Sequence, residues 1–195
     1  MTLIICINGV NMGKYKKDWW YKAQQFQVPL LGEEDLKQLL ARCKDQEERI
    51  YLILLYYTGA RPSELLALHI KDIWVEGKKI GISIPTLKKG IGRTIYIPLN
   101  DITQEVAGFV NSRPVDLRLV LKWHSIYSVR DWMYRISDNR YCLYFFRHNR
   151  LSKLANKGVD MMTLKRFKGA RSISSVEPYI QLAGTETKRI VSKID

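Results

Sequence analysis

The chain has 195 residues, a formal net charge of +13 and 46% hydrophobic residues. That apolar content excludes wholesale disorder, and the length suits one globular domain with a terminal arm. A domain this basic usually meets a polyanion, of which nucleic acid is the commonest.

Three widely spaced cysteines, Cys6, Cys43 and Cys142, include no CxxC pair. Neither a disulfide framework nor a zinc site is expected, and the chain reads as intracellular. The apolar runs Leu3 to Ile7 and Ile50 to Tyr57 are too short to span a bilayer, so no membrane partner is expected.

In chain order, residues 1–26 read as an N-terminal arm or linker remnant. Lys14, Lys16 and Lys17 stand beside Trp19, Trp20 and Tyr21, a mixture that suits either a nucleic-acid backbone or packing on the arm's own domain. Glu33 to Cys43 carries Leu36, Leu39 and Leu40 at helical spacing. Ile50 to Thr58 is apolar on nearly every face, which predicts a central buried helix stopped by Gly59. Pro62 then starts another helix, since a first-turn N–H is not needed.

From Ile73 the period changes to two. Ile73 to Val75, Ile80 to Ile84 and Thr94 to Ile97 predict three antiparallel strands, joined by turns at Glu76-Gly77-Lys78 and Lys88 to Gly92. Helices resume with the stripe Ile102, Val106, Phe109, Val110 and with Val129, Trp132, Met133, Ile136, the latter capped by Ser128. Residues 111–126 give no pattern. Phe145 to Asn156 reads as a helix ending before Gly158, and Asp160 caps a short one that stops at Gly169. Ser172 to Tyr179 reads as a polar, turn-like segment. Pro178 restricts Glu177 towards extended backbone, so Tyr179 is expected on a flexible stretch.

Chemistry concentrates at four places. In Thr58-Gly59-Ala60-Arg61-Pro62-Ser63-Glu64-Leu65, Arg61 sits between two helices, where backbone N–H groups and a guanidinium suit a phosphate. Glu64, in the first turn, is placed to hold Arg61. On spacing alone a corner with a surface arginine is the simpler account. The turn Thr86-Leu87-Lys88-Lys89-Gly90 supplies lysines, as solvated turns often do. Tyr144-Phe145-Phe146-Arg147-His148 supplies a second arginine, and Tyr179 closes the series.

The Thr-Gly-x-Arg-x-x-Glu-Leu pattern, followed by a small sheet and by Arg147, Gly158-Val159-Asp160 and Gly169 with Ser172-Ile173-Ser174-Ser175, resembles the catalytic domain of tyrosine recombinases and integrases. The resemblance covers about residues 27–180. It implies a mainly α fold with a small three-stranded antiparallel sheet, and leaves 181–195 as a tail that docks on a neighbouring subunit. Its catalytic set maps onto Arg61, Lys88, Tyr144, Arg147 and Tyr179, with Glu64, Lys89, His148 and Arg171 in support.

Two departures stand out. Tyr144 occupies the place of the usual histidine, as in some archaeal and viral members. A tyrosine still donates to a phosphate oxygen but is a poor proton acceptor at neutral pH; it also suits an apolar core. His148 either compensates or packs on its helix. Ala170 replaces the usual His or Trp, a contact that Arg171 is placed in sequence to supply.

The implied activity is site-specific cleavage and rejoining of double-stranded DNA through a 3′-phosphotyrosyl link, without metal, cofactor or ATP. Implied partners are DNA, further copies forming a tetramer on it, and a core-binding domain supplied separately or missing. The expected location is inside the cell, on DNA. A fold-retaining DNA-binding protein without turnover and a type IB topoisomerase-like relaxing enzyme are the alternatives.

Overall fold

The computed structural model describes residues 30–86 and 91–181. The N-terminal arm, Lys88 and Lys89, and the tail beyond residue 181 lie outside the described residues.

Helix α1 (Glu33–Leu40) buries Leu36, Leu39 and Leu40. Helix α2 (Gln46–Thr58) buries every residue from Ile50 to Thr58 and forms the axis of the core. It begins four residues before its apolar run, because Asp45 caps it by accepting from the Glu48 N–H at 2.9 Å. Gly59 ends it in the left-handed region at φ +56°. A Cβ there would strain the backbone and lie 2.9 Å from the Arg150 Cβ. Pro62 opens the one-turn helix α3 (Pro62–Leu66).

Strands β1 (Ile73–Glu76), β2 (Lys79–Ile84) and β3 (Arg93–Pro98) form an antiparallel sheet in the order β1-β2-β3. Ile73 faces Ile82, and Ile82 faces Ile95, so one face of the sheet is a buried isoleucine layer. On the other face the Trp74 ring lies where a Cβ on its partner Gly81 would stand.

Helix α4 (Gln104–Asn111) and helix α5 (Ile126–Ile136) flank the segment that carried no sequence pattern. That segment is held by groups distant in sequence. Leu119 N–H donates to Leu68 O at 2.8 Å, and the Glu47 carboxylate accepts from Leu121 and Lys122 N–H at 3.0 and 2.9 Å. Ser128 is not the cap of α5. Ser125 is, and Ser128 donates its own N–H to the Ser125 hydroxyl, one turn earlier than the apolar stripe suggests.

Helices α6 (Leu143–Asn156) and α7 (Met161–Lys168) complete the domain. Asp160 caps α7 through the Met162 and Thr163 N–H groups, and Gly169 ends it at φ +63°. A 3-10 turn (Ile173–Ser175) leads into a helical stretch over 177–181. Here the structure corrects the sequence expectation. Glu177 and Pro178 form the first turn of that helix rather than an extended lead. Proline fits there because a first-turn N–H needs no intrahelical acceptor. Tyr179 is fully buried, not displayed on a loose stretch.

The apolar interior is divided. The main core surrounds α2 and the sheet. A smaller cluster of Leu151, Ala155, Leu164, Val176 and Tyr179 lies between α6, α7 and the terminal helical stretch. Helix α6 contributes to both, and the polar residues between its two apolar contacts lie at the seam. Asn149 ties the segment before α1 to it: its carboxamide accepts from Leu31 N–H at 2.8 Å and donates to Leu31 O at 3.3 Å. No described helix is long and apolar enough to cross a membrane.

Gly59→Ala is expected to cost more than about 1 kcal/mol, because the left-handed backbone and the Arg150 contact both penalise a Cβ. Urea denaturation of the two proteins measures it.

Candidate active site

The site begins at the corner between α2 and α3. Arg61 N–H donates to Glu64 Oε2 at 2.8 Å, and its guanidinium donates to Glu64 Oε1 at 2.6 Å. Arg93, at the start of β3, donates to Glu64 Oε2 at 3.0 Å. The Glu64 side chain is 1% exposed. Desolvation alone would raise its pKa, but the hydrogen bonds and charges of Arg93 and Arg61 outweigh it and hold the carboxyl below its ordinary value. One buried carboxylate thus fixes two guanidinium groups. Arg93 keeps spare donors: Nε and Nη1 are buried with no hydrogen-bond partner among the described residues.

The second wall is one face of α6. Tyr144, Arg147, His148 and Leu151 follow the i, i+3, i+4, i+7 spacing that aligns side chains on a helix. Arg147 is 4% exposed and is anchored by carbonyls: Nη1 donates to Gly59 O at 2.8 Å and Nη2 to Lys168 O at 2.6 Å. Burial, then the positive charges of Arg61 and Arg93, depress its pKa to about 10. No carboxylate is among its hydrogen-bonding groups, so an anion arriving there meets an under-compensated cation.

The third wall is the terminal segment. The Tyr179 hydroxyl lies 2.6 Å from His148 Nδ1, with the two rings stacked at a centroid distance of 5.9 Å. Burial raises the phenol pKa well above its ordinary value, and Arg147 pulls it the other way. The His148 pKa falls from the usual 6.5 to about 3 through burial and then the charges of Lys168 and Arg147, so the ring is neutral. Lys168 lies 5.2 Å over the Tyr179 ring and donates to Ser175 O. Its own pKa falls to about 8 through burial, then Arg147 and Arg61.

Five residues named from sequence therefore meet here: Arg61, Glu64, Arg147, His148 and Tyr179. Tyr144 is partly buried one turn before Arg147 on the same face of α6. Arg171 is exposed and forms no hydrogen bond to the cluster among the described residues, and Ala170 offers no polar side chain. Lys88 and Lys89 lie outside the described residues. The hairpin that carries them is tied in just beyond, where Ile91 N–H donates to Gly169 O at 3.3 Å. A Cβ on Gly169 would lie 2.7 Å from Arg93 Nη1, so this glycine lets helix end and arginine meet.

Sequence reasoning missed two members. Arg93 opens a short strand beside an isoleucine ladder, which is only a weak signal. Lys168 sits among Lys165 and Arg166 in a last helical turn, where basic residues ordinarily answer the helix dipole, so nothing local distinguishes it.

Two outcomes are expected. Glu64→Ala, which strands two guanidinium groups, should destabilise the fold by about 3 kcal/mol in urea denaturation. For His148, the unfolded chain takes up a proton near 6.5 that the folded chain resists until about 3. Its contribution is therefore full above 6.5 and lost progressively below it. Between pH 7 and pH 5 wild-type stability should fall, and His148→Asn should fall less by about 2 kcal/mol, compared by urea midpoints at the two pH values.

The geometry agrees with comparison to known proteins. Residues 29–112 match the model of the phage integrase family. Transposase A from transposon Tn554 of Staphylococcus aureus is 20% identical over 210 residues, covering 96% of this chain and 58% of that protein. Tyrosine recombinase XerA of Saccharolobus solfataricus is 22% identical over 162 residues, covering 83% of this chain and 55% of that protein. The chain thus spans little more than half the length of these relatives. Among solved structures, XerA recombinase superposes with a TM-score of 0.67 at 15% identity, covering 85% of this chain and 65% of that one. XerH site-specific recombinase bound to palindromic difH substrate, a post-cleavage complex, gives 0.65 at 18% identity, covering 83% and 52%. The chain is thus similar to phage integrases and tyrosine recombinases, and its described residues share the fold of these recombinase structures.

Proposed function

We propose that this chain is the catalytic part of a site-specific DNA recombinase or integrase, which cleaves and rejoins strands through a 3′-phosphotyrosyl link. The observation that carries this is the meeting of Arg61, Arg147 and Tyr179. A hydroxyl is held by the residue next to a buried, under-compensated arginine, and that arginine is electrostatically coupled to a second one at a helix corner.

The chemistry follows from the charges. Arg61 and Arg147 bind the non-bridging oxygens of a phosphodiester and stabilise the charge that grows there in the pentavalent transition state. Tyr144 donates a hydrogen bond to the same phosphate. The Tyr179 oxygen attacks phosphorus, and the phenolic proton passes to His148 Nδ1 in the tautomer protonated at Nε2. A phosphate on Arg147 offsets the positive charge that otherwise keeps His148 from accepting that proton. The bond from phosphorus to the 5′ oxygen breaks, and Lys88, with Lys89 beside it, protonates that oxygen. Attack by a 5′-hydroxyl from another strand reverses these steps, so strands exchange without ATP or metal.

The +13 charge suits the duplex backbone, and binding should fall steeply with salt. Exchange between two duplexes calls for several copies on one DNA, for which a tetramer and a core-binding domain complete the assembly. A second reading, a DNA-binding protein without turnover, is favoured by one observation: Tyr179 is 0% exposed, so its phenol is closed off from solvent.

A nicked suicide substrate made from DNA flanking the gene tests the proposal. A covalent adduct should form, vanish in Tyr179→Phe, and form at least about 100-fold more slowly in Arg147→Ala, the scale of losing one oxyanion-stabilising group. Salt-sensitive binding with no adduct would support the second reading.

A further inference from the structure

We propose that Lys168 is a positioning residue for Tyr179: its ammonium clasps the turn that leads into the tyrosine, while its backbone carbonyl seats Arg147. The inference rests on the reading of Tyr179 as the nucleophile.

A lysine in the last turn of a helix is usually solvated and answers the carbonyls of its own helix. Lys168 does otherwise. It is half-buried, and its ammonium leaves α7 to donate to Ser175 O, in the 3-10 turn four residues before Tyr179. On the way it lies over the face of the Tyr179 ring at 5.2 Å, where the ring quadrupole attracts a cation. His148 takes the hydroxyl at 2.6 Å. The tyrosine is therefore held at two places, its ring face and its hydroxyl, and the chain before it at a third.

The same residue reaches the phosphate pocket. Lys168 O accepts from Arg147 Nη2 at 2.6 Å, and the Lys168 charge bears on Arg147, Arg61 and His148. Gly169 follows immediately, and its left-handed turn lets the carbonyl at 168 face α6 while Arg93 packs behind. One residue thus sets the spacing between the second arginine and the segment that carries the nucleophile. The three cations Lys168, Arg147 and Arg61 repel one another, and a bound phosphate would relieve that repulsion. Phosphate binding is thereby coupled to a tight clasp on Ser175.

Two measurements on the full chain test this. Amide hydrogen exchange reads the clasp without DNA. In Lys168→Met, exchange at the Val176 and Tyr179 amides, which donate to Ile173 O and Val176 O, should quicken at least about tenfold while α2 is unchanged. Lys168→Arg, which keeps the cation, should return it towards wild type. In the suicide-substrate assay, Lys168→Met should form adduct at least about tenfold more slowly at saturating DNA, and Lys168→Arg should recover most of the rate, since displacement of a reacting group costs that much or more. Unchanged exchange in Lys168→Met would overturn the proposal, as would an adduct rate equal to wild type. If the wild type itself forms no adduct, the reading of function fails, and exchange alone then decides the clasp.

Discussion

The structure turns on how few negative charges face its clustered cations. Arg61, Arg93, Arg147 and Lys168 lie within electrostatic reach of one another, and of the carboxylates only Glu64 is hydrogen-bonded to any of them among the described residues. Glu64 spends both oxygens on Arg61 and Arg93, leaving Arg147 to two carbonyls and Lys168 to a third. A buried ion pair is not in itself a strong source of stability, because desolvation offsets much of the attraction. What Glu64 provides is geometry: it holds two arginines against mutual repulsion and fixes where their guanidinium groups lie.

That imbalance sets the protonation state of everything nearby. Burial, reinforced by these charges, keeps His148 neutral and pulls Lys168 down to about 8, while Arg147 opposes the effect of burial on the Tyr179 phenol. The site is a cation cluster with a neutral phenol and a neutral imidazole beside it, on a chain whose net charge is +13. Two clasps on Tyr179 keep the phenol within reach of Arg147 while excluding it from water.

The seam in the core explains why these groups can be buried at all. Helix α6 packs one end on the large core and the other on the small cluster around Leu151, Leu164 and Val176. Between the two, apolar packing gives way to carbonyl ends: Gly59 at the close of α2 and Lys168 at the close of α7. Helix termini leave carbonyls without intrahelical donors, and an arginine between two such ends satisfies both. Both helices end on a left-handed glycine, and that is what brings the two ends close.

Much of this was legible in residue order. The 3.6 and 2.0 periods located the helices and the strands, because each element must bury an apolar face, and Gly59, Pro62, Asp160 and Gly169 marked boundaries through local backbone geometry. The spacing Tyr144, Arg147, His148 already placed those side chains on one helical face. What local pattern could not carry was partnership across the chain. The segment between Asn111 and Ile126 is shaped by Leu68 and Glu47; Arg93 matters through Glu64; Lys168 matters through Ser175 and Tyr179. Pro178 misled because one proline suits both a broken chain and a first helical turn, and only packing of Val176 and Tyr179 on α6 selects the second. Sequence by itself determined the elements, the family pattern and the charge, since each depends on neighbours within a few residues. Tertiary structure alone decided which cations share one carboxylate and which histidine receives the phenol, because electrostatic and hydrogen-bonding partners are set by distance in space.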